Sequence, residues 1–192
     1  KLFKKIAVII IMKKILSIIT VILFFINITA FGAEDALNSA DYWKNSRKIS
    51  VYVPQNRRRT IVKESFKAWI RASDEKIGFV FLDYPKNANI VFEFVGIIPE
   101  GKLQSGEILG LTYSGYTPDG RIAKAKIQIP YKSQNGVVLD DITLYHVLIH
   151  EIGHALGLGH SSDYKSIMYP TTNKNQNIMP EDIKKLQNIY GW

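Results

Sequence analysis

The 192-residue chain contains no cysteine. That excludes disulfide staples and a lipid-modified cysteine anchor, so an exported form of this chain must rely on its hydrophobic core alone. No internal repeat and no low-complexity tract interrupts the sequence, so length favours one domain. Histidine is scarce as well. The chain has four, none of them lies before His146, and three sit together in the stretch His150–His160.

The one long apolar run lies at the N-terminus. Met12-Lys13-Lys14 precedes an apolar segment from Ile15 to Ile26, and Ala30-Phe31-Gly32 offers small residues for cleavage. Residues 1–33 therefore read as a secretory signal region with its natural start at Met12, and residues 34–192 as the mature domain. No stable membrane anchor is expected after cleavage. The signal region carries five lysines and no acid. Without it, 20 of the 25 basic residues face 17 acidic ones, so the formal charge falls from +8 to +3. The basic balance belongs mostly to the export signal and does not point to nucleic acid. Arg57-Arg58-Arg59 is a local cluster without interleaved aromatics and reads as a solvated turn.

The informative stretch is HEIGHALGLGH, residues 150–160. His150 and His154 are one helical turn apart on the same face. Gly157 and Gly159 follow, and glycine allows a helix to end in a left-handed turn, so the chain can double back and bring His160 to the same ion. Three imidazoles and one open position are the ligand set of a catalytic zinc, which lowers the pKa of bound water and polarises a carbonyl. Glu151 adjoins the first ligand and is placed to act as general base. His146 lies a further turn back; an ion held between His150 and His154 is out of its reach, so one zinc per chain is expected.

The pattern HExxHxxGxxH followed by Ser161 and by Met168-Tyr169-Pro170 resembles the matrixin branch of the metzincins, the matrix-metalloproteinase-like catalytic domains. The likeness spans residues 43–191 and is most specific from His150 to Pro170. It implies an α+β fold: a twisted mixed sheet with a packed helix, a zinc-binding helix and a C-terminal helix. It implies zinc-dependent hydrolysis of peptide bonds, with Met168 as an apolar floor beneath the ligands. It also implies that Leu109–Thr112 borders the cleft and pairs with a peptide or protein substrate in extended conformation, and that Asp182 hydrogen-bonds the Met-turn backbone. Pro170 stands where other metzincins carry a tyrosine that reaches the metal, so no tyrosine ligand is expected. Two family features have no counterpart. The second, structural zinc needs histidines upstream that this chain lacks, and the wall of the S1′ pocket lacks its tyrosine in Pro170-Thr171-Thr172. No dense acidic loop marks a calcium site, and calcium is left open. The absence of cysteine excludes a cysteine-switch propeptide.

The rest of the mature chain fits that architecture. Lys48–Pro54 alternates like a half-buried strand. Thr60 is a candidate cap for a helix reaching Ala72, with Val62, Phe66 and Trp69 as its apolar stripe. Phe79–Tyr84 and Asn89–Val95 are of strand length. Gly96–Gly106 reads as loop, and Ile108–Tyr113 and Ala123–Pro130 as strands, the second at a sheet margin because Lys124, Lys126 and Gln128 need a wet face. Asp140 or Asp141 caps the zinc helix, whose buried side is Ile142, Tyr145, Ile149 and Ile152. Pro180 opens the last helix, with Ile183, Leu186, Ile189 and Tyr190 as its stripe and Gly191 as its stop. The sequence thus describes a secreted or periplasmic, monomeric zinc endopeptidase. The competing reading is a zinc-holding binding or adhesion module without turnover, which would have no use for Glu151.

Overall fold

The computed structural model describes residues 42–96, 98, 109–133, 135–171 and 173–192. The signal region 1–33, most of the loop after Gly96, Ile108 and Thr172 lie outside the described residues. Five strands form one sheet: β1 (Ile49–Tyr52), β2 (Phe79–Leu82), β3 (Ile90–Val95), β4 (Leu111–Tyr116) and β5 (Ile122–Pro130). Their order is β2-β1-β3-β5-β4. All neighbours run parallel except β4, which is antiparallel to β5. Three helices complete the described fold: α1 (Arg59–Ala72), α2 (Asp141–Ala155) and α3 (Pro180–Tyr190).

The β1-α1-β2 connection follows from the parallel pairing, because parallel neighbours need a crossover and a helix supplies it. Val62, Phe66 and Trp69 of α1 are fully buried, as their spacing predicts. Phe66 packs edge-on against Phe79 and Phe81 of β2, with ring centroids 4.8 and 5.9 Å apart. One apolar cluster joins α1, the inner face of the sheet, α2 and Leu186 of α3. This is the mixed α+β architecture that the sequence implied.

Several local expectations change. The helix cap at Thr60 gives way to Arg58, which makes no side-chain cap bond; α1 starts at Arg59. The arginine cluster is not merely solvated. Arg58 donates to the Leu139 carbonyl at 2.6 Å and Arg59 to the Val53 carbonyl at 3.2 Å, so two of the three arginines tie down loop backbone. β5 is not at the margin: β3 and β4 flank it, and among the described residues β4 ends the sheet. The alternation of Lys124 and Lys126 with Ala125 and Ile127 reports a wet face, not a free edge. Ile142 is 60 % exposed, whereas Leu144 and every residue from Val147 to Gly153 are buried. The helix enters the core from its second turn and is then enclosed on all sides, so a single apolar stripe understates its burial.

Candidate active site

α2 carries the site, and its two ends are fixed by different means. At the N-terminus Asp140, not Asp141, is the cap: its carboxylate accepts from the Thr143 backbone N–H at 2.9 Å. At the C-terminus the helix closes in a Schellman turn. Gly157 adopts φ +95°, its N–H donates to His154 O at 2.9 Å, and the Leu158 N–H donates to Gly153 O at 3.0 Å. A positive φ of that size is strained for any residue with a Cβ. The turn sends the chain back past the helix end, as the glycine spacing predicted.

The result brings His150, His154 and His160 together, with one ligand nitrogen of each within 4.8 Å of the others. The His150 Nδ1–H donates to Ile167 O at 2.6 Å and the His154 Nδ1–H to Leu158 O at 2.8 Å. Those bonds place the ring protons on Nδ1 and leave bare lone pairs on Nε2. The two Nε2 atoms then face each other across 3.0 Å. Two acceptors at that distance with no proton between them repel, and a cation between them removes the repulsion. A tetrahedral zinc with bonds of roughly 2.0–2.1 Å spaces its ligands about 3.3 Å apart, so the donor set and its separation fit that ion. Burial pushes the His150 imidazole down to about 4 and the His154 imidazole down to about 3. It lowers His160 as well. All three are therefore neutral near pH 7, the state a metal requires. His146 stays apart, its Nδ1–H donating to Ile142 O at 2.8 Å.

Glu151 is buried beside this group and is not one of its members. Desolvation raises its carboxyl to about 7, against the opposing pull of a hydrogen bond from Thr112. Met168 is 1 % exposed, and its sulfur lies against Gly153 of α2, 2.3 Å from where a Cβ would stand. The Met-turn is sewn to the ligand segment by the Ser161 N–H, which donates to Met168 O at 2.8 Å. Asp182 does not reach the Met-turn backbone directly. The Ser166 hydroxyl donates to Asp182, 2.7 Å from Oδ1, and accepts from the Met168 N–H at 2.9 Å, so the serine relays the contact. Sequence reasoning missed Ser166, and it placed Thr112 only in the cleft-bordering segment 109–112, without its bond to Glu151. Neither stands in a recognisable pattern, and each is found by its hydrogen bond across the fold.

A model of the matrixin family matches residues 41–191. Metalloendoproteinase 4-MMP of Arabidopsis thaliana is 29 % identical over 158 residues, covering 78 % of this chain and 45 % of the relative. Metalloendoproteinase 2-MMP of the same plant is 30 % identical over 167 residues, covering 78 % and 43 % respectively. Matrilysin of Felis catus is 46 % identical over a shorter span of 54 residues, 26 % of this chain and 21 % of that protein. The chain thus spans less than half the length of each of these three relatives. With the helix, the returning third histidine and the Met-turn assembled as the family pattern requires, the match over residues 41–191 establishes that this chain belongs to the matrixin family.

Proposed function

We propose that the chain is an exported zinc endopeptidase in which His150, His154 and His160 hold the ion and Glu151 handles the proton. The observation that carries this reading is the placement of Glu151: a buried carboxyl with its proton affinity near neutrality, next to three neutral imidazoles and outside their set. A general base works best with a pKa near the operating pH. When bound, the zinc supplies Lewis acidity toward the peptide carbonyl and toward water. Glu151 takes a proton from the attacking water and returns it to the leaving amine. The substrate is a peptide or protein segment in extended conformation. β4 ends the sheet among the described residues, and a peptide laid along it gains backbone hydrogen bonds. In Pro170-Thr171-Thr172 a threonine, Thr172, stands in the sequence where the family has its tyrosine, so side-chain preference is this chain's own. Residues 1–33 direct export and are removed. Met168 supports the ligands from below without binding metal.

Hydrolysis of casein or gelatin with and without a zinc chelator tests the reading. Glu151→Gln is expected to reduce turnover by about 10²–10⁴-fold while the zinc content stays that of wild type. A fully active variant removes Glu151 from the chemistry, and a variant without zinc makes it a structural residue instead.

A further inference from the structure

We infer that Thr112 is a positioning residue for Glu151: its hydroxyl holds one carboxylate oxygen so that the other is presented to the reacting water. The Thr112 Oγ1 lies 2.7 Å from Glu151 Oε2 and 3.0 Å from the Glu151 backbone oxygen. Both acceptors lie within reach of one hydroxyl. A threonine has a single proton, and the charged, nearer acceptor holds it while the carboxylate is ionised. Among the described residues no hydrogen bond reaches Oε1.

The other side of the carboxylate is confined by the same stretch of chain. A Cβ at Gly110 would lie 2.6 Å from Glu151 Cγ and 2.7 Å from Oε1. The backbone entering β4 therefore lies against the carboxylate where a side chain would displace it. Glutamate has rotatable bonds to lose, and an unrestrained carboxylate samples positions that do not face the water. Contact at Gly110 and the hydrogen bond at Thr112 remove that freedom. When Oε1 gains a proton, Oε2 loses charge, and the hydroxyl can turn to the backbone oxygen without moving either side chain. The base then changes charge in place. β4 is also the strand along which the substrate is proposed to lie, so one element holds both the substrate and the base.

This inference rests on the reading of Glu151 as base, and the experiment separates the two. The full chain, loaded with zinc, is assayed as wild type, Thr112→Val, Thr112→Ala, Thr112→Ser and Glu151→Gln, with kcat and KM measured on one fluorogenic peptide and zinc measured on the same samples. Val and Ala, which lack the hydroxyl, are expected to lose roughly 10–100-fold in kcat, with KM within about twofold and zinc unchanged. Ser, which restores it, is expected to return kcat to within about threefold of wild type. Wild-type kcat in Val or Ala, disagreement between those two, a loss confined to KM, or a Ser variant as slow as Val overturns the role of Thr112. If wild type hydrolyses no peptide, or Glu151→Gln is as fast as wild type, the reading of Glu151 itself falls.

Discussion

Ser166 is 1 % exposed and serves two partners at once, the carboxylate of Asp182 and the backbone N–H of Met168. Asp182 in turn accepts from the Met179 N–H at 2.9 Å, which caps α3. One hydroxyl thus links the Met168 backbone to the start of the last helix. Ser166→Ala leaves a buried amide unpaired and a buried carboxylate short of a donor. The expected cost is about 2–4 kcal/mol, read as a fall in the denaturation midpoint. The cost should depend on pH. Burial is the largest influence on Asp182 and raises its pKa, while the Ser166 bond lowers it. Removing the bond raises the folded-state pKa further. A carboxyl whose folded pKa exceeds its unfolded one loses stability as pH rises through the interval between them, and the loss is complete above it. The variant is therefore expected to be most impaired near pH 7, with a smaller deficit as pH falls toward 4, where the unpaired Met168 amide alone still costs stability. Denaturant melts of metal-free protein at several pH values check this, and a pH-independent difference contradicts it.

At the scale of elements, α2 is held by aromatic donors from three other parts of the chain. The Trp43 indole N–H donates to Ala155 O at 2.8 Å, and the Tyr190 hydroxyl donates to Leu156 O at 3.0 Å. These are carbonyls at the helix end, which have no partner within the helix. The Trp69 indole N–H reaches Ile149 O at 2.9 Å, next to the first ligand. Tyr190→Phe keeps the ring and removes the donor. It is expected to cost about 1–2 kcal/mol, because Leu156 O is then left without its donor. A thermal melt that does not move would show that water replaces the hydroxyl. None of these bonds is legible in the sequence, while the helices themselves are. Pro180, the acids after it and Gly191 mark α3, and Asp140 with the histidine spacing marks α2. Such signals are local. Trp43 and Ala155 are 112 residues apart, and Thr112 and Glu151 are 39 apart. No periodicity spans those separations. Trp69 reads as a core residue, which it is, and Trp43 is buried as well, but their N–H groups have a second role that only the fold discloses. That His150, His154 and His160 come together beside Glu151 was legible because one helix and one turn contain all four.

For the whole molecule, the three-histidine group joins α2 to the segment that returns after it. His150 and His154 belong to α2, and His160 stands in the chain beyond the Schellman turn. His160 is also exposed, unlike His150. Replacing it by alanine therefore removes little packing and costs the metal-free fold little. Zinc that binds only the folded state stabilises by a term that grows with the ratio of free metal to dissociation constant, about 2.7 kcal/mol at a hundredfold excess. Two measurements follow from this. Wild type is expected to bind one zinc per chain, and chelation is expected to lower its melting temperature by several degrees. His160→Ala is expected to melt with the metal-free wild type, within about a degree, and to recover only a fraction of the increment when zinc is restored. His146→Ala is expected to keep both the stoichiometry and the full increment, because its ring is engaged with Ile142 O and lies outside the ligand group. A zinc increment in His160→Ala equal to that of wild type would remove His160 from the ligand set. A ratio near two zinc ions per chain, or loss of the increment in His146→Ala, would show that the histidines are divided between sites differently.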